Sequence, residues 1–225
     1  MKYVIKEIFS TVQGEGSQSG TPAIFIRFAG CNLWSGHEDK RGVGKGECSA
    51  WCDTDFVDGD TLSKKELIGR ICEEMESSPM KNPLIVLTGG EPTLQLSKSP
   101  ELVGSMLARG WRVSIETNGT NQCEVITLLN EHPNGHVTVS PKRLRGGVTG
   151  TAHIKVRSGA DLKVVLPQFS TAEMDDMGEW KFENRFIQPL DCADLGEAAF
   201  PDCIAEARRI GWRISTQTHK FMGLP

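Results

Sequence analysis

Short apolar runs alternate along the chain with stretches whose apolar residues recur every three or four positions. The short runs predict strands at 24–28, 84–87, 112–116, 136–139, 162–166, 185–188 and 212–216. The longer spacing predicts helices near 63–77, 99–109, 122–131 and 194–210. Ser63, with Glu66 three residues on, makes a capping box for the first helix. Ile68, Cys72 and Met75 share one face of that helix, flanked by Leu67 and Ile71, so Cys72 reads as core. Ala198, Ile204, Ala205 and Ala207 form an apolar stripe on the last. Repeated strand–helix–strand order implies a largely parallel sheet with helices outside it. The expected fold class is α/β: seven such strands suit an incomplete (β/α) barrel or an open doubly wound sheet.

Two segments break the rhythm. Residues 31–60 form a long polar insertion. Residues 142–160 are rich in glycine and in basic residues, with Lys142, Arg143, Arg145, Lys155 and Arg157. Loops of such length usually carry function or lack order. The basic one reads either as a solvated surface or as a lid over an anionic ligand.

Bulk properties narrow the class. A chain of 225 residues suits one α/β domain spanning 1–225, with the insertion at about 31–60 as part of it. A net charge of −4 argues against a nucleic-acid partner. The opening residues, Met1 to Glu7, are too polar for a signal peptide, and the apolar run at 84–87 is too short to span a bilayer. No membrane partner and a cytoplasmic location are therefore expected. Seven cysteines, an odd count, fit a reducing compartment without disulfides. Cys72, Cys123, Cys192 and Cys203 are scattered, whereas Cys31, Cys48 and Cys52 fall in the 31–60 insertion.

Those three cysteines carry the candidate chemistry. Three thiolates can hold three irons of a [4Fe–4S] cluster and leave the fourth iron open for a ligand. A structural metal site would close its last position, and Cys31, His37, Cys48 and Cys52 could form a Cys₃His zinc site of that kind. Other unusual residues fall after predicted strands, where ligands of parallel sheets gather. They are Thr88-Gly89-Gly90-Glu91-Pro92, Glu116-Thr117-Asn118-Gly119, Ser140-Pro141-Lys142, Gln188-Pro189-Leu190-Asp191 and Gln217-Thr218-His219-Lys220. Gly89 and Gly90 suit a tight turn or close backbone approach to a ligand, with the Glu91 carboxylate placed to receive an ammonium group.

The three-cysteine loop followed by Gly89-Gly90-Glu91-Pro92, with Trp51 before the third cysteine, resembles the radical S-adenosylmethionine superfamily. Within it, Gln13-Gly14-Glu15-Gly16, Arg27, Cys31-Asn32-Leu33-Trp34-Ser35-Gly36, Cys52-Asp53-Thr54-Asp55, the strand-end motifs and Asp161-Leu162-Lys163-Val164-Val165 resemble the 7-carboxy-7-deazaguanine synthase family, in order from Phe9 to Pro225. The cysteine gaps are sixteen and three residues, against the superfamily's usual three and two. Lengthening the first loop costs about 1.5 kcal/mol of closure entropy. Metal–thiolate binding is worth roughly 10 kcal/mol or more, so the spacing permits cluster assembly.

The resemblance implies a modified, incomplete (β/α) barrel of the radical S-adenosylmethionine type, and a homodimer. It implies ring contraction of 6-carboxy-5,6,7,8-tetrahydropterin with loss of ammonia, serving 7-deazapurine (queuosine-type) biosynthesis. One electron, supplied by a donor such as flavodoxin or ferredoxin, starts the radical chemistry. Cys31, Cys48 and Cys52 would hold the [4Fe–4S] cluster, and Thr54 would bind Mg²⁺. Val12, Gln13, Gly14, Arg27, Thr88 and Pro225 would contact the pterin. Trp51, Asp53, Gly90, Glu116, Asn118, Ser140, Pro141, Lys142, Gln188, Pro189, Leu190 and Asp191 would bind S-adenosylmethionine. No catalytic side chain beyond cluster and cofactor is assigned; His219 reads as a site residue or a turn histidine. A related radical enzyme that activates a glycyl-radical partner, and the zinc protein, are the competing readings.

Overall fold

The computed structural model describes residues 1–146, 149–190 and 199–224. Its spine is a nine-stranded sheet in the order β3-β1-β2-β4-β5-β6-β7-β8-β9. From β2 onward the pairings are parallel: β2 (Pro22–Phe28), β4 (Leu84–Gly89), β5 (Arg112–Thr117), β6 (Gly135–Val139), β7 (Ser158–Leu166), β8 (Lys181–Pro189) and β9 (Arg213–Ile214). These are the seven strands that the apolar runs predict. The sheet is not closed, as an incomplete barrel requires.

Two further strands were not expected. β1 (Lys2–Val12) pairs antiparallel with β2, and β3 (Asp60–Ser63) antiparallel with β1. Lysines and glutamate interrupt the apolar run of β1, so its first half hides among polar residues, yet Tyr3 and Ile5 are buried. Tyr3 Oη donates to Ser99 Oγ at 2.7 Å, and Gln95 bonds the Val4 amide and carbonyl, tying β1 to the parallel sheet.

Helices α1 (Lys64–Ser77), α2 (Thr93–Leu96), α3 (Glu101–Leu107), α4 (Glu124–Glu131), α5 (Thr171–Gly178), α6 (Ala199–Ile210) and α7 (Thr218–Phe221) fill the connections. The capping box predicted for α1 is present: Glu66 N donates to Ser63 Oγ, and Ser63 N to Glu66. A second box, Ser170 with Glu173, starts α5, a helix the periodicity did not reveal because Met174 and Met177 are its only fully buried apolar positions.

Alternation along the parallel strands sorts the residues into two sets. Ile24, Ile26 and Phe28, Ile85 and Leu87, Val113 and Ile115, Val137 and Val139, Leu162 and Val164 belong to one core cluster with Leu67, Ile71, Leu102, Met106 and Leu129 of the helices. Cys72 packs against that core, as its position on α1 predicts, and Cys203 is wholly buried in it. The intervening positions face the other way: on β2 and β4, Ala23, Leu84 and Val86 make a small apolar cluster with Phe25, whereas on β5 to β7 Ser114, Glu116, His136, Thr138, Asp161 and Lys163 are polar.

Candidate active site at the strand ends

A cavity of about 570 Å³ lies at the C-terminal ends of the parallel strands, a volume that suits small molecules. Cys31 enters it after β2, Gly89 and Gly90 end β4, and Asn118 follows β5. Ser140 and Lys142 follow β6, Gln188, Pro189 and Leu190 end β8, and Gln217 and His219 follow β9. Every strand-end motif predicted to carry chemistry therefore meets in one space.

The three cysteines line this cavity together. Cys48 sits on a short 3-10 turn, Glu47–Ala50, and the Cys52 amide closes back on the Cys48 carbonyl at 2.7 Å. That turn absorbs the three-residue gap. Opposite it, Glu47 N donates to the Arg143 carbonyl and Arg145 N to the Lys45 carbonyl, so the cysteine loop docks on the basic loop. Inside the loop, Trp34 meets Phe56 edge-on, and the Arg41 guanidinium covers the Trp34 ring at 4.6 Å.

The basic loop is not free cationic surface. Arg143 donates to the Gln168 carbonyl, Arg157 stacks on Trp180 at 4.8 Å, and Lys155 caps the Ala152 carbonyl. Of its basic residues, Lys142 lines the cavity: Nζ donates to Ser140 Oγ at 2.6 Å and lies 5.8 Å from the centre of the Trp51 ring.

Burial pushes the three thiols up, Cys48 to about 12, and the Lys142 charge opposes the rise at Cys48. Cys31 and Cys52 each bear electrostatically on Cys48. Among the described residues, no three His, Cys, Asp or Glu side chains converge on one ion. Three buried thiols lining one cavity, with a lysine charge acting on one of them, are donors of the kind that hold a [4Fe–4S] cluster. His37 does not line the cavity.

Backbone glycines bring β4 against the cysteine loop. A Cβ on Gly90 would fall 2.1 Å from the Gly30 carbonyl oxygen, and the Glu91 amide donates to that oxygen at 2.9 Å. Gly89 adopts φ +124° and is equally close to Phe28. The Glu91 carboxylate, expected to face a ligand, instead points inward and is fully buried. It accepts from Thr93 N, Thr93 Oγ1, Thr117 Oγ1 and Asn118 N at 2.6–3.1 Å. Burial pushes its pKa upward and the four donors limit the rise. Its part is to fix the β5 turn, where Asn118 Nδ2 then donates to Asn32 Oδ1.

The remaining predicted residues divide clearly. Val12, Gln13, Arg27, Trp51, Asp53, Thr54, Thr88 and Glu116 line the cavity. Glu116 accepts from Gln13 Nε2 at 3.1 Å and from Thr88 Oγ1 at 2.8 Å. Arg27 pairs with Glu7 and lies over Phe9 at 5.7 Å. Gly14 is behind His219 rather than on the cavity, and Pro141 is buried beneath Ser140 and Lys142. Asp191 and Pro225 lie outside the described residues.

Among the lining residues without an assigned role from the sequence are Glu15, Lys163 and His219. Lys163 is paired with Glu15, which also accepts from Gln188 Nε2 at 3.1 Å. Burial pushes Lys163 down to about 8. Burial also lowers His219, helped by the neighbouring Lys220 charge. The available signal was alternation: Asp161 and Lys163 are charged positions on a strand whose other positions, Leu162 and Val164, are core.

No family model matches the chain. It is 39% identical to the 7-carboxy-7-deazaguanine synthase of Caulobacter vibrioides over 235 aligned positions covering 100% of both chains. It is 38% identical to that of Bordetella pertussis, again with 100% of both covered. The chain belongs to the 7-carboxy-7-deazaguanine synthase family. It is therefore an enzyme of the radical S-adenosylmethionine type, with a [4Fe–4S] cluster and S-adenosylmethionine as the family's cofactors. The crystal structure of QueE from Escherichia coli superposes with a TM-score of 0.66 at 26% identity, covering 96% of this chain and 94% of that one. Membership accounts for the mostly parallel, open sheet and for three cysteines gathered where its strands end. Among the described residues no helix is long and apolar enough to cross a membrane.

Proposed function

We propose that the protein converts 6-carboxy-5,6,7,8-tetrahydropterin to 7-carboxy-7-deazaguanine by ring contraction with loss of ammonia, in queuosine-type biosynthesis. The observation that carries this reading is the convergence of three cysteines and five further polar strand ends on one cavity, in a chain akin throughout to 7-carboxy-7-deazaguanine synthases. Cys31, Cys48 and Cys52 would hold the cluster beside S-adenosylmethionine, and the pair would supply radical hydrogen-atom chemistry when bound.

The protein's share is orientation and exclusion of water. Cys31, Cys48 and Cys52 hold the cluster, and their loop walls the cavity on that side. Gly90, Asn118, Ser140, Lys142, Gln188 and Leu190 bind S-adenosylmethionine, with Trp51 and Asp53 beside it and Pro141 and Pro189 shaping the backbone. Arg27 takes the substrate carboxylate, a fork-to-carboxylate match. Gln13, Thr88 and Glu116 present one hydrogen-bonded edge to the polar ring. Thr54 offers its hydroxyl to Mg²⁺, a hard ion that favours oxygen. A small one-electron donor such as flavodoxin or ferredoxin and a homodimeric assembly complete the reading.

Anaerobic incubation of the reconstituted protein with S-adenosylmethionine, a reductant, Mg²⁺ and the pterin tests it. The expected result is 7-carboxy-7-deazaguanine with release of ammonia. Cleavage of S-adenosylmethionine that is indifferent to the pterin, with no such product, would overturn the assignment.

A further inference from the structure

Inward positions of a strand-lined interior are ordinarily filled by Val, Ile and Leu. Here three neighbouring strands turn polar residues inward, two apart on each: Ser114 and Glu116, His136 and Thr138, Asp161 and Lys163. Register sets Ser114 beside His136, Glu116 beside Thr138, and Thr138 beside Asp161. With Gln13, Glu15, Gly16 and Gln18 they form a closely packed polar cluster with no room for a ligand, which shares Gln13, Glu15, Glu116 and Lys163 with the lining of the large cavity. Lys163 thus stands where that cluster meets the cavity, 6% exposed.

A buried amine is costly to keep, and Lys is seldom buried without a reason. The carboxylates of this cluster on β5 and β7 are already engaged. Asp161 accepts from Ser17 N and Ser17 Oγ at 2.8 Å and from Asn184 at 3.0 Å, with His136 Nε2 at 3.3 Å. Glu116 holds Gln13 and Thr88. The charged or titratable groups facing Lys163 are Glu15 of the β1–β2 connection, Glu116 of β5, His136 of β6, Asp161 of β7 and His219 of α7. Burial holds the amine near pKa 8, where it keeps a proton at neutral pH and can surrender it cheaply.

Resting on the ring contraction proposed above, we propose that Lys163 is the acid–base residue of that reaction, carrying a proton from the ring carbon to the nitrogen that leaves as ammonia. The C–N bond breaks with its electron pair on nitrogen, which takes a proton from Lys163 Nζ. The ring C–H bond then breaks; its electron pair forms the new ring double bond and its proton returns to the neutral amine. No oxidant or reductant is consumed, and the pairing of Lys163 with Glu15 is restored.

The test compares reconstituted wild-type and Lys163→Met enzymes by two readouts: deuterium transfer from C6-labelled pterin into S-adenosylmethionine and 5′-deoxyadenosine, and product with ammonia. Lys163→Met should keep deuterium transfer within about threefold while product falls about a hundredfold or more, the usual worth of a proton-transfer group. The wild type's product rate should show a limb near pH 8, and Lys163→Met should lose it. Product within about threefold of wild type, or both readouts falling together, would overturn the proposal. Should Lys163→Met not fold, Glu15→Gln serves. Removing that carboxylate lowers the amine's pKa, so the limb should move to lower pH by about one unit; an unmoved limb overturns the proposal. A wild type that transfers no deuterium from the pterin overturns the substrate assignment, and this role with it.

Discussion

Gly14 lies directly beneath His219: a Cβ on Gly14 would fall 2.0 Å from the ring Nδ1 and 2.8 Å from the His219 backbone nitrogen. The Gly14 carbonyl also accepts from the Thr218 amide at 3.0 Å and from its hydroxyl at 2.9 Å. One glycine therefore seats the C-terminal segment, which a half-exposed Lys220–Asp53 ion pair at 2.8 Å ties to the cysteine loop. Gly14→Ala must push His219 and α7 outward, because backbone as well as ring is in the way. The expected cost is about 1–3 kcal/mol of overpacking. Since α7 walls the cavity, kcat/KM should fall about tenfold or more. The spectrum of the reconstituted cluster should not change, because Gly14 touches none of its cysteines. Steady-state kinetics with absorbance spectra of the same samples check both.

The thiols make cluster assembly a proton-releasing step. Burial raises the pKa of Cys31, Cys48 and Cys52, with Cys48 near 12, so all three are protonated at neutral pH before iron arrives. Iron binds thiolates, and each bond formed must displace a proton. Raising pH lowers that cost up to the thiol pKa. Reconstitution at fixed iron and sulfide should therefore proceed faster and further at pH 9 than at pH 7. Cluster absorbance followed against pH checks this, and a flat profile across that range would contradict it.

Glu91 tests the role the structure gives it in place of the expected ligand contact. Its two oxygens take four donors. Glu91→Gln replaces one acceptor by an NH₂ group and sets a donor against Asn118 N or against Thr93. A buried group left unsatisfied costs about 1–3 kcal/mol. The unfolding midpoint in urea should shift to lower denaturant by a corresponding amount. Glu91→Asp, which keeps the charge but shortens the reach, should lose stability as well.

How far the sequence reaches can be read from particular residues. The parallel strands are legible because Leu84 to Leu87 is a continuous apolar run and β5, β6 and β7 place apolar residues at every second position, which the core buries. The strand ends are legible because glycine, asparagine and proline punctuate them. β1 is hidden because only one of its faces packs into the core, and Lys6 and Glu7 interrupt its pattern. Glu91 is misread for a different reason: its position after Gly89-Gly90 is local, but its partners Thr117 and Asn118 lie at the end of the next strand and just after it, and only parallel pairing of β4 with β5 brings them there. Lys163 and Glu15 are 148 residues apart, so no local pattern could announce their pairing.

Arg27 offers the last prediction, because its pairing with Glu7 occupies the guanidinium that the substrate carboxylate is proposed to engage. Glu7 and Arg27 face each other across β1 and β2, where register makes them direct partners. Phe9 lies below the guanidinium and stacks on Phe25, ring centres 5.5 Å apart, so the plane of Arg27 is held whether or not Glu7 is present. The pair is partly exposed, and pairs of that kind are worth up to about 1 kcal/mol. An incoming carboxylate must displace Glu7 and forfeit that energy. Glu7→Gln should therefore lower KM for the pterin by up to about fivefold with little change in kcat, the ratio that 1 kcal/mol allows. Arg27→Met should raise KM far more, since it removes the receiving group. Titration of each variant's initial rate against pterin concentration separates the two effects. A raised KM in Glu7→Gln would mean that Glu7 orients Arg27 for the substrate and does not compete with it.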